Sequence, residues 1–590
     1  MKYFFNLFIL LMFTTNVNSQ VLPANRSVNW SLAGFHGTVP NYSTIVNITN
    51  YGGVGDGQTP NDTAFANALN ALSGADGVIY FPAGSYLFNL PISLRSNLIL
   101  RGATSDSTTL KFELDSNNSD DAIYISGNAT STFVSLSSSA FKDSSYVEVD
   151  SASNFAVGDY IKLTLNDSSL AFSNWAYGTI GQVIKISSIV NNKIFLESPL
   201  RMDYDLTKYP KINKLNMITN VGIECLKIHR ADATVGQTSS VVFNYAAQCW
   251  VSGIESYMCN FGHIELNYST NISILGSYFN DAHAHGGGGQ GYGVIAQTTS
   301  GECLIENNIF KHLRHSMLLQ SGANGNVFGY NYSIDPYWSQ SGLPANSAGD
   351  MVLHGNYPYA NLFEGNIGQN IVIDDSHGQN GPFNTFLRNR AELYGIFMNN
   401  APPSNNQNFI GNEITNTGVF LGFYSLNGTG HFQHGNNVKG TIYASGTSTL
   451  TDTSYYYTNL PIFLQTLSSW PSIGIPNTLN TGTIPAKERY LGFQYSTCSS
   501  VVLSTNNDEH KPLIINATLS VYPNPTTGIV YLKQVESITK TINLEVFDCI
   551  GNRILSKTLN HKNDFIDLSK YAKGVYTIKT GSDNYRIVLQ

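Results

Sequence analysis

Five asparagines constrain this chain more than any other feature. Asn308, Asn331, Asn366, Asn389 and Asn412 stand in ECLIENNIF, GNVFGYNYS, ANLFEGNIG, NTFLRNRAE and QNFIGNEIT, each after a short apolar run. Their successive spacings are 23, 35, 23 and 23 residues. A fixed period in the low twenties, carried by β-rich units, marks a solenoid, because one unit cannot bury its apolar side without stacking on the next. Asparagine suits the corner of such a coil. It tolerates left-handed backbone, and its amide can bond the same amide one coil on. The spacing of 35 is one period with twelve residues inserted. Ser277, in the weaker copy NISILGSYF, lies 31 before Asn308, one period with eight inserted. An earlier weak copy is WVSGIESYM, residues 250–258. Such insertions become loops, often on the binding face. Glycine is abundant at 52 residues, 12% of the chain is aromatic, and long runs at helical period are nearly absent, so an all-β chain with many turns is expected.

At 590 residues the chain should hold more than one domain. Residues 1–20 carry a lysine and an apolar run from Tyr3 to Phe13, which reads as a secretory signal peptide too short to span a bilayer. No transmembrane segment is expected later, and the mature protein should be soluble and exported. The run VNITNYGGVGDGQTPNDTAFANALNAL (46–72), with GVIYFPAGSYLF and LRSNLILRGA after it, resembles the start of the pectate-lyase superfamily. That resemblance implies a single-stranded right-handed parallel β-helix, opened by a short capping helix from about Asp62 to Leu72 with Asp62 or Thr63 as N-cap. It implies no single reaction, because the fold hosts lyases, hydrolases, epimerases and phage tailspikes.

The expected organisation follows. Residues 21–131 form the cap and first coils. Residues 132–203, where SYVEVDSASNFAVGDYIKLTL and IGQVIKISSIVNNKIFLESPL alternate like a small antiparallel barrel, form an inserted β domain. Coils resume over 204–445, and 446–503 covers the open end of the stack. A polar linker, 504–514, leads to 515–590. This last part has YPNP with Gly528, the turn DCIGN and the strand LSKYAKGVYTI, and it closely resembles the C-terminal sorting domain of type IX secretion cargo, a β-sandwich-like unit. The resemblance implies a Bacteroidetes-type envelope, the type IX secretion machinery as partner, and a final place outside the cell, released or attached to its surface.

Net charge is −8 with only 12% charged residues, which argues against a nucleic-acid binder. Six cysteines make no disulfide scaffold. Cys225, Cys249 and Cys259 are expected on neighbouring strands, as a bridge or as buried thiols.

The coil between the two inserted ones carries Lys311, His312, Arg314 and His315, four basic groups in five positions of a sparsely charged chain. With coils about 4.8 Å apart, residues 281–291 and roughly 335–350 should wall a trough whose floor is Lys311 to His315. Tyr337 and Trp338 offer flat rings for stacking on sugars. Asp350 and His354 leave the longer insertion, Asp374, Asp375 and His377 follow one coil on, and Arg388 and Arg390 flank Asn389.

The stretch DAHAHGGGGQGYG (281–293) admits several readings. It matches G-x-G-x-x-G, but no βαβ unit surrounds it, which disfavours a nucleotide cradle. Asp281, His283 and His285 alternate along one strand face and could ligate a metal. The favoured reading is a mobile flap whose histidines touch substrate, against a plain surface loop.

Three functions are weighed. A polysaccharide lyase would neutralise a uronate with Arg314 or Lys311, or with a cation such as calcium, and take the C5 proton with His315 or His312. A glycoside hydrolase would use Asp350, Asp374 and Asp375, although the NTD and GHG segments of pectin hydrolases are missing. An adhesive protein would present only a sticky face. The first is preferred because the densest charge cluster of the solenoid is basic.

Overall fold

The computed structural model describes residues 20–115, 119–398 and 403–498, and most of 519–590. Residues 1–19 of the expected signal peptide and the expected linker, 504–514, lie outside the described residues. Strands stack in parallel into a β-helix with three faces. One coil shows the plan: β1 (Leu304–Glu306) on face A, β2 (Ile309–Lys311) on face B and β3 (His315–Leu319) on face C. Face A is one 13-stranded sheet, and faces B and C join in a 21-stranded sheet. Helix α1 (Asp62–Ala71) buries Ala64, Phe65 and Ala68 at the N-terminal end, preceded by Asn61 as N-cap.

Two amide ladders hold the corners. At the A/B corner the Asn308 Nδ2 donates to Asn331 Oδ1, and the same bond repeats through Asn366, Asn389, Asn412 and Asn436. At the C/A corner a second ladder runs Asn326, Asn361, Asn384, Gln407. Between the ladders, inward rings stack coil on coil: Phe328, Phe363, Phe386 and Phe409 lie 5.2, 5.0 and 5.3 Å apart.

The face A strand Leu98–Gly102 pairs directly with Val221–Glu224, so everything between faces C and A of that coil is inserted. The insertion is a six-stranded antiparallel sheet from Asn128 to Asn216. It is wider than its alternation suggests because its first and last strands, Asn128–Ser135 and Lys211–Asn216, pair with each other as a neck. Its position at the C/A corner places it beside face C.

The two ends of the β-helix region run along its flanks as straps. Residues 20–42 pass along face A from the late coils to the early ones. Arg26 bonds Asn408, Trp30 bonds the Ala360 carbonyl and Phe35 N–H bonds Ser273. The segment 446–498 does not stop at the open end. It runs back beside the A/B corner, with Arg388 donating to the carbonyls of Asp452, Ile473 and Ile475, and ends in a Cys225–Cys498 disulfide. Cys249, Cys259 and Cys303 are buried free thiols. Outward apolar residues of face A (Leu304, Leu362, Ile410) and of face B (Tyr278, Ile309, Ile367) are buried under these straps. Neither strap reaches face C. Among the described residues no helix is long and apolar enough to cross a membrane.

Candidate functional site

The candidate side chains gather on face C and its border with face B. The two insertions do not stand apart as walls of a trough. They fold onto each other, because loops one coil to either side of the same corner are separated by only two coil spacings. The Ser339 N–H donates to the His285 carbonyl, and the Tyr337 ring sits 5.1 Å from His285 and 4.7 Å from His312. Together they form one wall over residues 312–314.

The glycine-rich stretch is pinned rather than loose. Arg314 Nη1 donates to the Gly286 carbonyl at 2.6 Å, and Gln237 Nε2 donates to Gly288. His283 and His285 diverge: the Nε2 of the first faces the Arg230 carbonyl and that of the second the His312 carbonyl. Among the described residues no three His, Cys, Asp or Glu side chains converge to hold a metal ion. Asp281, His283 and His285 therefore do not form a ligand set here.

The basic run splits. Lys311 lies on face B, with its charge toward Tyr495 of the C-terminal strap. His312 takes left-handed backbone and holds Asp335 through Nδ1 at 2.8 Å. Arg314 and His315 turn onto face C. The Arg314 guanidinium lies between the rings of Tyr292 and Trp338, 5.6 and 5.3 Å from their centroids. His315 stacks on Tyr292 at 5.1 Å and meets the edge of His354 at 5.4 Å. His354 stacks on His377 at 4.8 Å, and its Nε2 stands 3.6 Å from Asp374.

Three buried nitrogens in this cluster have no partner: Arg314 Nε, Trp338 Nε1 and His354 Nδ1. Buried polar atoms are almost always bonded, so each exception calls for a reason. Among the described residues no carboxylate lies within ion-pair reach of Arg314, although it is only 9% exposed. Burial, then His354 and Arg314, hold His315 well below the ordinary imidazole range. Burial brings His354 down to about 4 against the pull of Asp374. Both imidazoles are thus neutral at pH 7. His315 Nδ1 faces the Gly349 carbonyl, which leaves Nε2 as its lone-pair nitrogen.

Other sequence candidates lie apart. Asp350 is fully buried at the B/C corner, accepting from Ser333 Oγ and the N–H groups of Gln369 and Asn370. Asp375 is locked inside a turn by Ser404 and Asn380. Arg388 anchors the strap at the A/B corner, and Arg390 pairs with buried Glu413. These four lack the exposure or the placement to meet a ligand on face C. The first two are interior because each bonds neighbouring backbone or turn groups, and the arginines point to the opposite flank.

Sequence reasoning missed the earlier half of face C. Asp121 and Glu265 share Ser239, whose N–H donates to Asp121 Oδ1 at 2.6 Å and whose Oγ donates to Glu265 Oε2 at 2.9 Å. Asn267 and Gln297 also donate to Glu265, and Gln320 donates to Gln297. A polar row therefore links the acids to the coils of His315 and His354. Burial, the dominant upward pull, and the nearby Glu265 charge push Asp121 up to about 7. The signal was an outward Glu in the strand GHIELN, legible only once the facing side was known.

The sequence profile described as rhamnogalacturonase A/epimerase, pectate lyase-like, matches residues 45–194, and that of the secretion system C-terminal sorting domain matches 520–590. Both resemblances read from the sequence are borne out, and the tail indicates export by type IX secretion. No curated protein matches the chain. Among solved structures, the tailspike protein of Pseudomonas phage LKA1 is 16% identical with a TM-score of 0.44, covering 62% of this chain and 63% of that one. The chain thus spans less than two thirds of that tailspike's length. A hyperthermoactive exopolygalacturonase from Thermotoga maritima is 14% identical, with coverages of 64% and 83% and a TM-score of 0.35. The A-module of a mannuronan C-5 epimerase from Azotobacter vinelandii is 13% identical, with coverages of 65% and 98% and a TM-score of 0.30.

Proposed function

We propose that this protein is an exported polysaccharide-degrading enzyme that works on face C, cleaving a uronic-acid-containing polymer by β-elimination. One observation carries the reading. Arg314 is a buried cation with a free Nε and no carboxylate partner among the described residues, framed by two rings on the one face the straps leave uncovered. A buried cation without a counter-charge is costly unless a ligand supplies one. A uronate carboxylate seated on Arg314 has its charge neutralised, which acidifies C5–H. A neutral imidazole, His315 through Nε2 or His354 through Nδ1, accepts that proton. The C5–H electrons form the C4–C5 double bond as the C4–O bond breaks, and the departing oxygen takes a proton from water. Asp374 orients His354 in the manner of a carboxylate behind a base.

A second reading is hydrolysis at Asp121 and Glu265. It is favoured by two carboxylates sharing one serine, with Asp121 pushed toward neutral pH mainly by its burial.

The test incubates the mature chain with polygalacturonate, alginate and a neutral glucan, with and without calcium, following ultraviolet absorbance and reducing ends together. Both signals, abolished by Arg314→Ala, are expected. Reducing ends alone, abolished by Glu265→Gln, would establish the second reading. Binding with neither signal would leave an adhesive protein. Assay of cells against medium decides between release and surface attachment.

A further inference from the structure

Face C has a second border, and the inserted antiparallel domain supplies it. The loop 168–180, SSLAFSNWAYGTI, contains no charged residue. Within six residues it leaves three large rings in water: Phe172, Trp175 and Tyr177 are 62%, 55% and 49% exposed. Isolated exposed apolar residues need no explanation, but a contiguous group does.

This loop is not a floppy excursion. The Asp167 carboxylate accepts from the N–H groups of Gly178 and Ile180, closing it at its base. The Asn356 Oδ1 accepts from the N–H groups of both Phe172 and Ser173, at 2.9 and 2.8 Å. The Thr179 and Ser321 hydroxyls bond at 2.9 Å. Its anchor points belong to successive coils of the C/A corner. Phe172 packs on the bare Cα of Gly378, where an added Cβ would come within 2.3 Å of the Phe172 Cβ. Gly378 follows His377, whose ring stacks on His354. The loop thus stands on a firm support at the C/A corner, with Phe172 against Gly378, the neighbour of His377, while Trp338 lies at the opposite, B/C border of the face.

We propose that Phe172, Trp175 and Tyr177 form a sugar-stacking wall, which holds the polymer by the flat apolar faces of its pyranose rings while the Arg314 side reads its charge. The inference rests on the polysaccharide reading given above. An uncharged, pre-ordered aromatic loop fits this occupant. Rings stack on the C–H faces that pyranoses present wherever no axial hydroxyl interrupts them, and pre-ordering removes the entropic cost of fixing the loop on binding. The loop that carries the wall is anchored on coils from Ser321 to Gly378, a span of about 10 Å at ~4.8 Å per coil. It therefore engages more than one sugar unit and favours polymer over short fragments.

The test uses the full mature chain in native gels cast with polygalacturonate, alginate or neutral glucan. The variants are Trp175→Ala, Trp175→Phe, and the triple Phe172→Ala, Trp175→Ala, Tyr177→Ala. Wild type should be retarded by at least one polymer. Trp175→Ala should weaken that retention about tenfold, the size of one lost ring stack. Trp175→Phe should largely restore it, and the melting temperature of both Trp175 variants should not move, since that ring is exposed. If wild type is retarded and the folded triple variant is retarded equally, the wall is refuted while the polysaccharide reading stands. If no polymer retards wild type, both fall.

Discussion

In the proposed reaction Arg314 acts through shape as well as charge. Its planar guanidinium fills the gap between Tyr292 and Trp338 while Nη1 holds the Gly286 carbonyl. A lysine is a point charge on a flexible stem and cannot meet both rings and the carbonyl together. Arg314→Lys is therefore expected to lower kcat/KM on the acidic polymer at least tenfold, with a melting temperature close to wild type. Near-normal turnover by that variant would remove Arg314 from the site. His354 makes a second claim. With its pKa lowered to about 4 it stays neutral until well into acid. If it is the base, the acid limb of kcat/KM should lie near pH 4 and not near the ordinary imidazole value of about 6.5. Asp374 favours the protonated ring, so Asp374→Asn should move that limb to still lower pH. A limb that stays put would transfer the role to His315.

At the scale of elements, the corner ladders decide stability. Asn366 Nδ2 donates to Asn389 and to the Phe328 carbonyl, and its Oδ1 accepts from the N–H and side chain of Asn331. Asn366→Ala strands several buried groups at once and should cost about 3 kcal/mol, read as a lower urea midpoint at unchanged slope. This ladder was legible in the sequence because its period was regular. The second ladder lay in the same motifs, in the first asparagine of NVFGYN and NLFEGN, but one asparagine per coil already accounted for the repeat. The site was legible only in part. Arg314, His315, His354, Asp374 and His377 do gather, whereas Lys311 faces the other way and Asp350 and Asp375 turn inward. Spacing locates a corner but not the side to which a residue beside it points, since left-handed residues such as His312 redirect the chain there. The straps left no periodic signal at all. They are held by contacts such as Tyr457 Oη to Glu306 and the Tyr455 N–H to Glu364. Burial pushes Glu306 up to about 8. A carboxyl raised in the folded state stabilises fully below its unfolded value of about 4.5, and that contribution is lost as pH climbs toward 8. Hydrogen-exchange protection of residues 450–498, taken relative to the intrinsic base-catalysed rate, should accordingly fall between about pH 4.5 and 8, and Glu306→Gln, neutral throughout, should flatten that fall.

For the whole molecule, the arrangement divides labour between flanks. Faces A and B are covered by the two straps that end the β-helix region, and face C faces solvent with the inserted domain beside it. The C-terminal strap ends at the Cys225–Cys498 bridge, which closes a loop of 273 residues. At this corner Gly253 and Gly276 present bare backbone to Cys498 and Thr497, so the last turn of strap lies flush on the early coils. Cross-links of this kind stabilise by about 2–4 kcal/mol in typical proteins, and the bridge suits the oxidising surroundings of an exported chain. Because the bridge sits on the flank opposite face C, its loss should act on one side only. Cys498→Ser should loosen the strap from its far end, so that a protease cuts within 485–498 and the melting temperature falls by several degrees. Turnover on the polymer, measured below that temperature, should stay within twofold of wild type. Parallel loss of turnover and strap protection would mean that strap and site form one cooperative unit, and the separation of a sealed flank from a working face would have to be given up.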